Sequence, residues 1–175
     1  TESTLFIATL WIFFLFLYRL SGNEDIVIGV PVSGRRHHDL DGILGVFINT
    51  LPIRIKIFDE QTAEELMETV KQKWLKAYDN QDYPFEELVA KVSQDRDTWR
   101  NPLFDVLLNF IQRRDSAGDL AAPTANNPQE HYIHHKGTSK FDLSADVLTS
   151  PGNLGFSFEY STQLFKPETI EKFLG

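Results

Sequence analysis

Asp25-Ile-Val-Ile-Gly-Val-Pro-Val-Ser-Gly-Arg35 is the first of three stretches that decide the fold of this chain. It is a β-branched run that ends in turn residues, which predicts a buried strand followed by a loop. The second stretch, Gly45-Val-Phe-Ile-Asn-Thr-Leu-Pro-Ile-Arg54, passes into alternating apolar and polar residues, which indicates a strand with one solvated face. Pro52 indicates that this strand either starts there or lies at an edge of the sheet. The third stretch, Asn80-Gln-Asp-Tyr-Pro-Phe-Glu-Glu-Leu-Val89, is a polar turn that leads into a helix.

Helix signals lie on both sides of the second stretch. The apolar run Leu5–Tyr18 predicts a helix, with Ser3 or Thr4 as its N-cap and Gly22 as a left-handed residue at its end. Its length favours a core helix, because a membrane span needs about 18 or more apolar residues. The only charged residue before the run is the acidic Glu2, whereas a signal peptide begins with basic residues.

A second helix is predicted after the capping box Thr62-Ala-Glu-Glu65, in which the hydroxyl and the carboxylate each satisfy a free amide. Its buried positions are expected at Leu66, Val70 and Trp74, spaced by four residues. This helix should end near Asn80.

A shorter helix is predicted to follow, with Pro84 in its first turn, where the missing N–H costs nothing. Its apolar residues are Phe85, Leu88, Val89 and Val92.

The second half of the chain predicts clustered strands and one further helix. The expected strands cover residues 104–111, 131–136, 140–148 and 154–160, with a tight turn at 150–153 and a helix that opens at Pro167. Residues 113–130 are polar, small and proline-bearing, which predicts a long mobile loop. The fold class expected is an α/β (α+β) sandwich, a mixed β-sheet with helices packed on it.

Composition excludes several classes of function. The 175 residues fit one domain, residues 1–175. The net charge of −8 argues against nucleic-acid binding and against anionic membrane surfaces. The chain has no cysteine, so disulfides, zinc–thiolate sites and thiol nucleophiles are excluded, and a reducing, cytoplasmic location is expected. No phosphate-binding glycine motif and no Gly-x-Ser-x-Gly motif is present.

The histidines do not predict a metal site. His131, His134 and His135 would converge on a helix, but their surroundings are strand-like, and on a strand His134 and His135 point to opposite faces. Surface histidines on a strand are the interpretation that the pattern favours.

Taken in order, the three stretches resemble the C-terminal lobe of a condensation domain from a nonribosomal peptide synthetase. Gly45–Arg54 is similar to the family motif Ile-Gly-x-Phe-Val-Asn-Thr-Leu-x-x-Arg, and Asn80–Val89 to Gln-Asp-x-Pro-Phe-Glu-x-Leu-Val. Asn101-Pro-Leu-Phe104 and Lys140-Phe-Asp-Leu143 are further family-like elements, so the resemblance covers nearly the whole chain. The residues that we assign to the structural motifs are Gly29, Pro31, Asn49, Thr50, Arg54, Gln81, Asp82, Pro84 and Phe85.

The resemblance implies a role within a larger enzyme. The family has two chloramphenicol-acetyltransferase-like lobes with the catalytic histidine motif on the first, so no catalytic residue is expected in this chain, which alone would be inactive. An amine on a downstream carrier protein attacks a thioester on an upstream one, and each substrate arrives on a phosphopantetheine arm. This lobe would bind no cofactor directly. It would provide tunnel wall and carrier docking, with the N-terminal lobe and the two carrier domains as its partners.

The resemblance also suggests roles for single residues. Ser33 and Arg35 are the candidates for lining the acceptor side of the tunnel. Asn49 and Asp82 are interpreted as structural, since their side chains can satisfy backbone groups at a strand start and a helix start.

Three alternatives remain open from the sequence. One is an epimerisation or ester-forming relative, although Val46-Phe-Ile-Asn-Thr50 favours condensation. Another is a non-catalytic module that docks carrier proteins. The third is catalysis by His38 within His37-His-Asp-Leu-Asp-Gly42, which resembles the acyltransferase motif His-His-x-x-x-Asp-Gly but has one residue too few between His38 and Asp41. That spacing favours a solvated loop.

Overall fold

The computed structural model describes residues 4–35, 37–40, 42–92, 101–112, 138–150 and 152–174. Its strands form one five-stranded sheet in the order β2-β1-β3-β4-β5. β2 is antiparallel and β3 parallel to β1, so the sheet is mixed, as predicted. The helices and strands are, in chain order, α1 (Leu5–Ser21), β1 (Asp25–Ser33), β2 (Ile48–Lys56), α2 (Ala63–Asp79), α3 (Phe85–Val92), β3 (Val106–Gln112), β4 (Leu143–Ser150), β5 (Asn153–Tyr160) and α4 (Pro167–Leu174).

The chain divides into two compact units, residues 1–108 and 109–175, with the boundary inside β3. All three deciding stretches lie in the first unit. The single domain expected from the chain length stays a prediction. The predicted loop 113–130 and the predicted strand 131–136 lie outside the described residues.

The first helix, α1, is a core helix, as its composition predicted. Thr4 caps it by accepting a hydrogen bond from the Ile7 amide at 3.3 Å, and Gly22 ends it with a φ of 68°. Its buried positions recur every three or four residues, which is the period of one helix face. They are Ile7, Thr9, Leu10, Phe13, Phe14 and Leu17. None of the described helices is both long and apolar enough to cross a membrane.

Strands β1 and β2 form a continuous antiparallel ladder. It runs from Asp25 opposite Lys56 to Ser33 opposite Ile48, and Pro31 pairs with Thr50. The predicted alternation of β2 is confirmed, since Leu51, Ile53 and Ile55 are buried. Pro52 lies in the middle of β2 rather than at its start. It is tolerated there because β2 is an edge strand, the position in a sheet where a missing N–H matters least.

Helix α2 covers β2 and also contacts α1. The capping box is present, with Glu65 accepting from the Thr62 amide at 2.9 Å, and Asn80 is the C-cap. Leu66 and Val70 are fully buried, whereas Trp74 is half-buried with its ring 4.5 Å from that of Phe6. The helix is therefore anchored by two aliphatic side chains and one aromatic pair.

The second unit contains a β-hairpin and α4. β4 and β5 pair from Leu143 opposite Tyr160 to Ser150 opposite Asn153, and Gly152 at the turn has a φ of 78°. The predicted strand over 140–148 was wrong at its start, because residues 140–142 form a bend and β4 begins at Leu143. Asn109 is a polar residue within the apolar sequence of β3. Its side chain donates a hydrogen bond to the Asp146 carboxylate at 3.0 Å.

Candidate functional site

The first stretch meets Phe104 at Gly29, in the middle of β1. The Phe104 ring lies so close that a Cβ on Gly29 would stand 2.2 Å from its Cε2 atom. Such a distance is impossible for carbon atoms that are not bonded to each other, so glycine is required here by close packing rather than by its φ angle. Phe104 itself is 5% exposed.

Two further contacts hold the Phe104 ring in this position. The Asn101 side chain accepts hydrogen bonds from the amides of Leu103, at 3.1 Å, and Phe104, at 3.3 Å. On the other side, the Phe85 ring from the third stretch lies 5.7 Å away at an angle of 57°. The first and third stretches are therefore joined through one buried ring.

The second stretch is joined to the third by Asn49. Its Nδ2 donates to the carbonyls of Gln81, at 2.8 Å, and Tyr83, at 2.9 Å, while its Oδ1 accepts from the Thr50 amide at 2.9 Å. All three bonds are made to the backbone. The expectation that Asn49 satisfies backbone groups near a strand start agrees with these contacts.

The turn of the third stretch has one buried side chain and exposed neighbours. Gln81 is 3% exposed and donates to the Tyr78 carbonyl at 2.9 Å, which secures the end of α2. Asp82 is exposed. Pro84 lies just before α3 rather than in its first turn, and its carbonyl accepts from the Leu88 amide at 3.1 Å.

Lys91 of α3 lies over the ring of Tyr83, with Nζ 5.0 Å from the ring centre. A hydrogen bond with the Tyr83 side chain raises the pKa of Lys91 above its usual value. The last turn of this helix is thus tied back to the turn that precedes the helix.

Arg35 and Ser33 lie where β1 ends. Arg35 donates from Nη1 to the Leu40 carbonyl and from Nη2 to the Ile43 carbonyl at 2.9 Å, and its Cζ stands 4.3 Å from the centre of the Phe47 ring. Ser33 is exposed, and its hydroxyl is 3.4 Å from the Arg35 amide, from which it accepts. The two residues predicted to line the acceptor side are therefore neighbours with different surroundings.

The opposite end of the same ladder carries a second arginine. Arg54 donates two hydrogen bonds to the Asp25 carboxylate, from Nε to Oδ1 at 2.7 Å and from Nη2 to Oδ2 at 2.6 Å. These bonds hold the pKa of Asp25 below its ordinary value and raise that of Arg54. Both side chains are solvent-accessible, so this is a surface ion pair with good geometry.

The histidines of the first half lie in an exposed loop. His37 and His38 are both exposed, and His38 begins a 3-10 turn that ends at Leu40. Among the residues that the structure describes, no group of three or more His, Asp or Glu side chains is placed to hold a metal ion. The candidates His131, His134 and His135 lie outside the described residues.

Sequence reasoning missed two residues of this site. Phe104 was recognised as part of a motif, but its contact with Gly29 spans the chain from β1 to the start of β3. Phe47 was recognised in the same way, but not as the ring beneath Arg35. The only local signal for either contact was an unexplained glycine, Gly29 in one case and Gly45 in the other.

Comparison with known proteins gives a consistent result. The family model described as "Condensation domain" matches residues 1–175. The chain is 45% identical over 174 residues to a plipastatin synthase of Bacillus subtilis (strain 168), which covers 98% of this chain and 5% of that protein. It is 41% identical over 172 residues to tyrocidine synthase 3 of Brevibacillus parabrevis, covering 98% of this chain and 3% of the relative.

Solved structures agree with the sequence relatives. A four-domain nonribosomal peptide synthetase bound to AMP and glycine matches with a TM-score of 0.83 and 25% identity, over 99% of this chain and 14% of that one. The condensation domain of the Monacolin K polyketide synthase MokA matches in fold, with a TM-score of 0.73 and 19% identity, over 94% of this chain and 38% of its own. The chain thus spans a small part of its curated relatives and about two fifths of that isolated domain.

Proposed function

Because this chain belongs to the family of condensation domains, we propose that it is the C-terminal lobe of a domain that forms peptide bonds in nonribosomal peptide synthesis. One observation carries the proposal. The three family-like stretches converge within the first unit, through the β1–β2 ladder, the Asn49 bonds to the turn at 81–83, and the contacts of Phe104 with Gly29 and Phe85. Motifs spread along a sequence that meet in one place describe a shared structural site.

In the proposed reaction, the amine of one carrier-bound substrate attacks the thioester of another. An amide bond forms, the carbon–sulfur bond breaks, and the thiol stays on the phosphopantetheine arm of the upstream carrier protein. A general base takes the amine proton. We propose that this base belongs to the N-terminal lobe, so that the chain alone is inactive.

The proposed contribution of this chain is the acceptor side of the tunnel, at the end of β1. Its support is geometric: the Ser33 hydroxyl is exposed there, and Arg35 holds the adjoining loop. The proposed partners are the N-terminal lobe and the upstream and downstream carrier domains. A cytoplasmic location is part of the same proposal, because loaded carrier proteins and their thioesters are its substrates.

The exposed residues of the β1–β2 loop support a docking role. Leu44 is 99% exposed and Val46 is 89% exposed, and large apolar side chains at such exposure are candidates for burial against a partner. We expect this surface to cause self-association of the isolated chain or tight binding to the N-terminal lobe. Light scattering across a concentration series, with and without the N-terminal lobe, tests this expectation. A chain that stays a monodisperse monomer at high concentration and does not bind the lobe would contradict it.

The function is tested by supplying the chain with two loaded carrier proteins, alone and together with the purified N-terminal lobe. Peptide bond formation, followed by mass spectrometry of the carrier-bound product, is expected only for the combination. Turnover by the chain alone would place the base in this chain, and His38→Ala would then identify it. Exchange of the substrate α-proton without a new amide bond would indicate an epimerisation relative, and carrier binding without either reaction would indicate a docking module.

A further inference from the structure

Two glycines pack against Phe47, the residue whose ring lies beneath Arg35: Gly45 against the ring and Gly34 against the backbone. A Cβ on Gly45 would lie 3.2 Å from Phe47 Cε2, which is closer than an ordinary carbon contact. The Gly34 amide donates to the Phe47 carbonyl at 2.6 Å, and a Cβ on Gly34 would lie 3.3 Å from that oxygen. Gly45 therefore leaves room for the ring, and Gly34 lets the Phe47 backbone approach the end of β1, where Arg35 covers the ring.

The Arg35 guanidinium also forms hydrogen bonds with several carbonyls of the loop between β1 and β2. It donates to the Leu40 and Ile43 carbonyls, and a longer contact of 3.5 Å joins its Nη2 to the Gly45 carbonyl. A planar guanidinium can donate within its plane while its face lies on an aromatic ring, which an ammonium group cannot reproduce. The Gly-Arg end of the first stretch and the Gly-x-Phe start of the second thus form one structural element.

We propose that Arg35 is a positioning residue: with Phe47 and Gly45 it forms a clamp that fixes the loop between β1 and β2, and it acts on the reaction through that loop. The clamp itself is independent of the proposed function. Its consequence for catalysis rests on that function.

The loop that the clamp fixes carries Leu44 and Val46 on its outer side. Between these exposed side chains, the Gly45 carbonyl faces the Arg35 guanidinium. A loop that is already ordered loses less conformational entropy when an acceptor binds beside it, at the Ser33 end of β1. The clamp should therefore strengthen productive binding of a carrier-tethered acceptor more than it changes the chemical step.

The clamp is tested by hydrogen exchange on the 175-residue chain. In Arg35→Ala, we expect the loop amides of Gly34, Leu40 and Ile43 to exchange about tenfold faster, since bonds to a charged donor are lost. The amides in the centre of the β1–β2 ladder should keep their protection. Arg54→Ala is the matched control, because it removes an exposed arginine from the other end of the same ladder and should leave the loop amides unchanged. Unchanged loop exchange in Arg35→Ala would overturn the clamp.

The consequence for catalysis is tested in the complete condensation domain that contains this chain. Arg35→Ala should raise KM for the acceptor-loaded carrier severalfold with little change in kcat, and Phe47→Leu should reproduce part of that rise. The double variant should be no worse than Arg35→Ala alone, because both changes release the same loop.

Arg35→Lys separates positioning from direct contact with substrate. It keeps the positive charge but loses the planar fork, so we expect it to behave like Arg35→Ala in exchange and in KM. If Arg35→Lys restored KM while the loop still exchanged quickly, or if Phe47→Leu had no effect on KM, Arg35 would contact the substrate directly and the positioning role would be wrong. If loop exchange were faster in Arg35→Ala but the complete domain formed no peptide bond, the clamp would be supported and only the proposed function would be refuted.

Discussion

The centre and the ends of the β1–β2 ladder are held by different kinds of contact. At the centre, the buried Phe104 ring lies directly against Gly29. At the ends, two arginines make polar contacts close to solvent, Arg35 with loop carbonyls and Arg54 with Asp25. Burial determines how much each contact contributes to the free energy of unfolding. A close-packed interior has no room for an added atom, whereas an exposed polar group that loses its partner can bind water instead.

The two ends also differ from each other. Arg54 binds a carboxylate, so its contact depends on charge, and both salt and low pH weaken it. Arg35 binds neutral carbonyls and an aromatic face, and those acceptors do not titrate. The ladder therefore combines three kinds of contact. The buried Phe104 contact governs stability, the polar contacts of Arg35 fix a loop, and the strength of the Arg54 ion pair depends on salt and pH.

The largest effect is expected from adding one methyl group at the centre. Gly29→Ala would place a Cβ 2.2 Å from Phe104 Cε2 and 2.4 Å from Cζ, so the ring must move within a buried site. We expect the free energy of unfolding to fall by about 3 kcal/mol, the upper end of the usual range for overpacking. Urea unfolding followed by tryptophan fluorescence measures this change.

The control for Gly29 is another strand glycine with space around it. A Cβ on Gly155 meets no atom closer than 3.9 Å, so Gly155→Ala should change stability by less than about 0.5 kcal/mol. Combining Gly29→Ala with Phe104→Leu should cost less than the sum of the two single changes, because the smaller side chain leaves room for the methyl group. Equal effects at the two glycines, or strict additivity with Phe104→Leu, would disprove the close-packing explanation.

An intermediate effect is expected from Asn49, near the loop end of the ladder. Asn49→Ala removes the donors to the Gln81 and Tyr83 carbonyls in a partly buried setting, and we expect a loss of about 1–3 kcal/mol. The turn at 80–84 should also become more accessible to proteases. The matched control is Asn80→Ala, which removes one exposed bond to the Lys76 carbonyl. If the two variants were equally stable, Asn49 would not be what joins the second stretch to the third.

Local chemistry made much of this fold predictable from sequence. The Thr4 cap, the left-handed Gly22 and the Thr62–Glu65 capping box each depend on residues within about one turn of one another, and all three are confirmed. The buried face of β2 followed from strict alternation. The mixed sheet followed from the order of helices and strands.

Contacts between distant residues were not predictable in the same way. The Phe104 ring fills the space over Gly29 only because β3 lies parallel to β1, and no local pattern encodes that neighbour. Pro52 was expected at a strand start or on an edge, and only the sheet order explains its place in mid-strand. The start of β4 was misplaced because residues 140–142 have strand-like composition, whereas Ser139 donates to the Phe141 carbonyl in a bend.

The smallest effect is expected at the far end of the ladder, where the Asp25–Arg54 pair depends on pH. Arg54 lowers the pKa of Asp25 from its reference value of 3.8. Because the folded-state pKa lies below the unfolded one, the pair stabilises the fold fully above the unfolded value, and this contribution is lost as pH falls through the folded value. The stability difference between the native chain and Asp25→Asn should therefore be largest near neutral pH and vanish in strong acid.

Salt and the other arginine provide the controls for this pH dependence. Because Asp25 and Arg54 are solvent-accessible, about 1 M salt should reduce the difference at neutral pH, as it screens the pair. The loop exchange caused by Arg35→Ala should be unaffected by salt once the intrinsic rates are corrected, since its partners are carbonyls and a ring. If Asp25→Asn lowered the free energy of unfolding by the same amount at every pH, the carboxylate would act through its shape and not its charge. If instead the Arg35 effect followed salt as the Asp25 effect does, the two ends of the ladder would be held by the same kind of interaction after all.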